Sequence, residues 1–266
     1  MSAPEIRKLS LWQDRIATEV EISGRGPPLV WLHGPWGLAP DRGFVARLAE
    51  QFTVHAPKFP GTSRGDHEAV HALDQWLDLV VYHGELFDAL NLSRPALAGH
   101  SFGALVATEF AAALPQAVSK LALIDPVGLW RDDQPVKNWM LLSPDARKHL
   151  LFADPDGEVS RRFFEVPADP QARVDTLSQF NWSLACTGKF VWPIADRGLK
   201  HRIHRVAAPA LIVWGQQDGI IAPTYAQDFA KAISGARVAL IDKAAHLPHL
   251  EQPDAVLAAV RGFLAA

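Results

Sequence analysis

Short apolar runs bounded by turn residues recur along the chain. They alternate with longer stretches in which apolar positions return every three or four residues. Residues 29–33, 52–56, 96–99, 120–125, 210–214 and 238–241 read as strands, and 16–22 alternates like an earlier, half-exposed one. Leu73, Trp76, Leu77, Val80, Val81, Phe87 and Leu90 fall on one helical face. Phe102, Leu105, Val106 and Phe110 make a second such face, and Val256, Ala259, Val260 and Phe263 a third. Strand alternating with helix predicts an α/β fold, a mostly parallel sheet covered on both faces. Such sheets bind ligands beyond the carboxyl ends of their strands, so chemistry is to be sought there.

The rhythm breaks between 127 and 206. Prolines, charges and aromatic residues such as Trp130, Trp139, Phe152, Phe163, Phe180 and Trp192 come there without strand-like runs. A structureless loop of that length is improbable, so a mostly helical insertion is expected. The 266 residues suit one domain carrying such an insertion.

Composition narrows the setting. The formal charge is −3 and no Lys/Arg-rich run stands out, so neither a nucleic-acid surface nor an anionic membrane is expected as partner. The single cysteine, Cys186, cannot close an intrachain disulfide, and no Cys/His cluster has zinc-like spacing. The first ten residues are charged and hold no apolar signal core, and no 18-residue apolar run occurs. The expectation is a soluble, cytoplasmic protein that needs no metal or cofactor. Oligomeric state is not legible.

Gly99-His100-Ser101-Phe102-Gly103 has the form G-x-S-x-G between a strand and a helix. At such a tight turn the central residue takes strained dihedrals, and the flanking glycines remove side chains that would collide. The serine Oγ is then expected to stand exposed above the sheet, with the N–H of Phe102 pointing into an oxyanion hole. Gly61-Thr62-Ser63-Arg64-Gly65 matches the same pattern, but it follows Lys-Phe-Pro and precedes Asp66 and His67, which is loop chemistry. Ser101 is therefore the candidate nucleophile.

A serine hydroxyl needs a base to take its proton, and the base needs a third group to fix its tautomer. His246 follows the last expected strand and precedes the last helix, which suits the base; His249 reads as a packing or surface residue. His67, His71, His201 and His204 have no carboxylates at ligand spacing and read as solvated surface residues. Asp218, in the loop after 210–214, is the candidate acid, and Asp125, at the end of 120–125, is its rival. The turn after 29–33, His33-Gly34-Pro35-Trp36-Gly37, could bring a second N–H to the oxyanion, with His33 bracing the loop.

With these motifs in the order Ser, Asp, His, the chain resembles the α/β-hydrolase superfamily over nearly its full length. The resemblance implies an eight-stranded sheet, a core of 1–127 and 207–266, and a helical cap of 128–206. It also implies a capped serine hydrolase with Ser101, Asp218 and His246 as triad. In one respect the chain departs from the family: the residue after His33-Gly34 often donates the second oxyanion N–H, and Pro35 has none. Trp36 is then the expected donor beside Phe102. In a second, Ala245 stands where a glycine commonly precedes the histidine. The expected activity is cleavage of a carboxylic ester of an apolar or aromatic small molecule through an acyl-enzyme. The alternatives are carbon–carbon hydrolysis of ring-cleavage-type diketones and a non-hydrolytic receptor or lyase on the same fold.

Overall fold

Every strand expected from the sequence forms, each end within one residue of its expected position. In the computed structural model, which describes residues 3–63, 66–194 and 196–266, the chain opens with β1 (Glu5–Leu11), β2 (Ile16–Ser23) and β3 (Pro28–Leu32). Helix α1 (Arg42–Leu48), β4 (Thr53–Pro57), α2 (Trp76–Ala89), β5 (Ala96–His100), α3 (Phe102–Ala113) and β6 (Leu121–Ile124) follow. After a long excursion come β7 (Ala210–Gly215), α7 (Tyr225–Ala232), β8 (Arg237–Ile241), α8 (Pro248–Glu251) and α9 (Pro253–Ala265).

The described strands form one eight-stranded sheet in the order β1-β2-β4-β3-β5-β6-β7-β8. β1 and β2 run antiparallel to their neighbours, and the strands from β4 to β8 are parallel. β1 has no counterpart in the sequence reading. Only Leu11 of it is buried and Ile6 stays half-exposed, so its alternation is diluted by the charges that blunt a sheet edge.

The central strands are apolar on both faces because both are covered. Val30, Leu32, Leu97, Leu121, Leu123, Ile212 and Trp214 meet Leu86 of α2, Phe110 of α3 and Phe229 of α7. Leu29, Trp31, Ala98, Ala122, Ile124, Leu211 and Val213 meet Val45 and Leu48 of α1 and Val256 and Val260 of α9. Fully burying one such side chain contributes about 1.5–3 kcal/mol, so these two layers hold the strand ends in place. The register of α2 differs from expectation. Leu77 and Val81 are 63% and 49% exposed, and the buried face instead uses Leu79, Val80, Tyr82, His83, Leu86 and Phe87. The polar-looking Tyr82 and His83 are drawn inside because their polar atoms find partners, the Tyr82 hydroxyl on Thr18 (2.7 Å) and His83 Nδ1 on the Leu79 carbonyl (2.8 Å).

Between β6 and β7 the chain builds α4 (Pro144–Leu151), α5 (Glu158–Phe163) and α6 (Pro170–Val191). Ser143 and Asp169 cap α4 and α6 by accepting the N–H groups of Ala146 (3.2 Å) and Ala172 (2.8 Å), and each helix opens with proline. The first half of α6 is largely exposed, Val174 and Leu177 included. Its second half packs Leu184, Cys186 and Phe190 into the core.

Candidate active site

The turn from β5 into α3 places Ser101 at φ 51°, ψ −110°, a strained conformation for any residue with a side chain. What holds it there is on both sides. The Ser101 N–H donates to the Ile124 carbonyl (2.9 Å), extending the β5–β6 ladder through the turn, and the Ser101 carbonyl accepts from Leu105 N–H (3.0 Å). The flanking glycines let the helix come close: a Cβ on Gly99 would lie 2.7 Å from the Gly103 carbonyl carbon, and one on Gly103 would run into the Leu32 carbonyl of β3. Ser63, the other match to the pattern, sits partly exposed in a loop after β4, before a 3-10 turn at His67–Ala72, and has no positive φ. Arg64 and Gly65 of that motif lie outside the described residues.

At the carboxyl end of the sheet the loop after β8 brings His246 to this turn. His246 Nε2 lies 3.0 Å from Ser101 Oγ, and His246 Nδ1 lies 2.8 Å from Asp218 Oδ2. A carboxylate can only accept, so Nδ1 carries the proton and Nε2 is left to accept from the serine. Asp218 is fixed in turn, because its Oδ1 accepts the N–H groups of Ile220 (2.8 Å) and Ile221 (2.9 Å). Contrary to the exposed serine expected from the turn, Ser101 is fully buried, as are His246 and the Asp218 side chain. The structure thus brings together the three side chains singled out in the sequence.

Around them lies a shell of histidines and carboxylates. His100, fully buried, donates from Nε2 to the His246 carbonyl (2.7 Å), tying the residue before Ser101 to the loop that carries His246. Burial, with the neighbouring His249 and His246, pushes His100 well below the usual histidine range, so this ring stays neutral. His249 is buried in α8, with Nε2 3.0 Å from Asp41, whose other oxygen takes the Trp31 indole N–H (2.9 Å). Glu251 accepts from Ala245 N–H (2.7 Å) with one oxygen and from Ala153 N–H (2.8 Å) with the other. It thereby joins the loop of His246 to the segment between β6 and β7, and burial raises its carboxyl above the ordinary range. Most of these partners lie far apart along the chain, and no local motif announces them.

His33 spans its loop: Nδ1 donates to the Gly34 carbonyl (2.8 Å) and Nε2 accepts from Phe59 N–H (3.0 Å). Gly37 N–H closes the turn on the Gly34 carbonyl (3.3 Å) over Pro35 and Trp36. Among the described residues no acceptor takes the N–H of Trp36 or that of Phe102. The Trp36 ring stands edge-on to His246 (6.1 Å), stacks toward His100 (6.2 Å) and meets Phe163 of α5 edge-on (5.6 Å). Trp36 and Phe163 also line a cavity of about 540 Å³ with Arg42, Lys58, Gln179 and Phe180, within the range of small-molecule sites. Arg42 and Lys58 are not free cations, being paired with Glu21 and Glu19.

The other histidines sort simply. His71, His201 and His204 are exposed, whereas His67 is not merely solvated: it stacks on Trp182 at 4.4 Å. Asp125, the rival acid, is fully buried at the end of β6, where its Oδ1 accepts Gly215 N–H (3.0 Å). Among the described residues, Asp125, Asp218 and His246 are the one group of three His, Cys, Asp or Glu side chains whose ligand atoms converge. There the His246 nitrogen and Asp218 oxygen already face each other across a hydrogen bond. No helix among the described residues is long and apolar enough to cross a membrane.

Comparison with known proteins agrees with this architecture. The chain is 30% identical to a pimeloyl-[acyl-carrier protein] methyl ester esterase of Stenotrophomonas maltophilia, over 93% of this chain and 96% of that one. It is 27% identical to the enzyme of the same name from Vibrio campbellii, over 91% and 96%. Among solved structures, a meta-cleavage product hydrolase from Pseudomonas fluorescens superposes with a TM-score of 0.74 at 18% identity, over 98% of each chain, which shows the shared fold. The sequence profile of the Alpha/beta hydrolase family matches residues 29–259, and the chain belongs to that family.

Proposed function

We propose that the protein hydrolyses a carboxylic ester through an acyl-enzyme formed on Ser101. The observation that carries this reading is the unbroken contact from Ser101 Oγ through the His246 imidazole to the Asp218 carboxylate, at 3.0 and 2.8 Å. Ser101 attacks the ester carbonyl while His246 Nε2 takes its proton, and Asp218 holds the ring and stabilises the imidazolium. The N–H groups of Phe102 and Trp36 receive the developing oxyanion, which their lack of protein acceptors supports. His246 returns the proton to the departing alcohol, then draws one from the water that releases the acid.

Residues 128–206 act as a cap over the core of 1–127 and 207–266. The cavity shared by Trp36 of the core and Phe163 and Phe180 of the excursion supports that division; it adjoins His246 through the Trp36 ring, and its aromatic side chains, set beside Arg42, Lys58 and Gln179, support an apolar or aromatic small-molecule substrate. The curated relatives bear the name of methyl ester esterases, which supports a small alcohol as leaving group. A cytoplasmic setting, with neither membrane nor nucleic acid as partner, completes the reading.

The test is turnover of p-nitrophenyl and methyl esters by wild type and Ser101→Ala. The account expects kcat/KM to fall about 10⁴-fold or more, as when the nucleophile of such a unit is removed. Unchanged ester turnover by the variant contradicts it. Faster consumption of a vinylogous diketone than of any ester would move the reading to carbon–carbon hydrolysis.

A further inference from the structure

We propose that Asp125 is a second acid of the relay, a positioning residue able to take the His246 imidazole when Asp218 cannot. The proposal rests on the serine-hydrolase reading above and adds a group to it. β6 and β7 are parallel neighbours, paired at Ile124 and Val213, and Asp125 follows the first as Asp218 follows the second. The two carboxyls therefore leave the same end of the sheet side by side.

Asp125 sits at φ 44°, in the left-handed region that a non-glycine residue occupies only when its surroundings impose it. Its N–H donates to the Val213 carbonyl (2.9 Å), and its Oδ1 accepts from Gly215 N–H (3.0 Å). The carboxyl is thus anchored at the end of β7. One oxygen suffices for that anchor. The other, Oδ2, is buried without a close hydrogen-bond partner, and the group it faces is the Asp218 carboxyl. Ligand atoms of Asp125, Asp218 and His246 lie within 4.8 Å of one another.

Two carboxylates buried this closely do not both ionise. Asp218 accepts from two backbone N–H groups and from the imidazole, the acceptor-only role of a carboxylate. Asp125 keeps its proton, pushed well above the carboxylate range by burial and then by the charge on Asp218. The charged and titratable groups facing it are Asp218, His246 and, as a further negative charge, Glu251. Removing the charge at Asp218 lifts the second of these causes and leaves burial in place, so Asp125 ionises only as the pH is raised. The Asp125 proton then passes to solvent, and its carboxylate accepts Nδ1–H of His246.

The experiment measures kcat/KM for p-nitrophenyl acetate from pH 5.5 to 9 in Asp125→Asn, Asp218→Asn, the double variant and Ser101→Ala. Asparagine keeps an acceptor for Gly215 N–H. Without a reserve acid, an asparagine at the orienting position costs about 10⁴-fold. Here Asp218→Asn should lose about 10- to 100-fold and recover with rising pH, and the double variant should fall at least about another hundredfold. A double variant no worse than Asp218→Asn overturns the proposal, as does an equal factor from Asp125→Asn in both backgrounds, which marks a purely structural role. Should the double variant fail to fold, the size of the Asp218→Asn loss decides: about 10- to 100-fold supports the proposal, and about 10⁴-fold at every pH overturns it. Ester turnover surviving Ser101→Ala instead removes the serine-hydrolase reading beneath it.

Discussion

In the sheet, neighbouring side chains of β3, β5, β6 and β7 point into two separate apolar layers, and almost none of them reaches solvent. Between β6 and β7 the chain lies differently. α4 and α5 are short, the first half of α6 stands in water, and an aromatic cluster of Phe152, Phe163, Phe164 and Phe180 links the segment to Trp36. The sheet is over-determined, so it can hold Ser101 and Asp125 at positive φ. The excursion is held by fewer contacts, which suits a part that shapes a substrate cavity rather than one that holds reacting atoms.

The largest effect on folding is expected where the core leaves no room. Gly103→Ala pushes a methyl group into the Leu32 carbonyl at the base of the Ser101 turn. The account expects a loss of about 3 kcal/mol, a fall of roughly 10 °C in Tm by calorimetry. A Tm unchanged within a degree would show that the core is less closely packed than described.

A smaller effect is expected in the excursion. Phe163 is half-buried, so Phe163→Ala should cost about 1–2 kcal/mol, less than the usual penalty for a core phenylalanine. Because Phe163 packs on Trp36 beside the cavity, KM should rise about fivefold with kcat nearly kept, the pattern of lost substrate binding. A fall in kcat with KM unchanged would place Phe163 in the chemistry and blur the contrast.

The smallest effect is one of pH. Asp125 holds its proton more tightly folded than unfolded, where a free aspartate ionises near about pH 3.9. The native state therefore binds more protons, and this group's contribution to stability falls as pH rises above that value. Asp125→Asn removes the slope, so the Tm of the variant relative to wild type should climb from pH 4 to pH 8. The same exchange at Asp156, exposed and paired with Lys148, should move Tm little at either pH. A constant difference for Asp125→Asn would mean that its carboxyl is not held neutral.

The contrast also explains what could be read in the sequence. The central strands β3 to β7 are largely apolar runs and the edge strand β8 keeps one at Val238–Ile241, so all were legible to within a residue. β1, at the other edge, was not, because Glu5, Arg7 and Lys8 interrupt its apolar positions. The strand before Ser101 and the helix after it separated it from Ser63, whereas His246 and Asp218 could be placed only by the strands they follow. The starts of α4 and α6 were present as Ser143-Pro144 and Asp169-Pro170, signals the aromatic richness of the region obscured. His100, His249 with Asp41, and Glu251 were missed as site neighbours because their partners are mostly distant in sequence. That Asp125 and Asp218 stand side by side follows from adjacent strands, a relation visible only once the strand order is known.

One measurement bears most directly on the whole account: intact mass and peptide mapping of the protein after brief exposure to a p-nitrophenyl ester or a fluorophosphonate. The account predicts a single adduct on the peptide holding Ser101, absent in Ser101→Ala and formed far more slowly in His246→Ala. Ester turnover with an adduct elsewhere, or an adduct at Ser101 formed equally fast without His246, would contradict it.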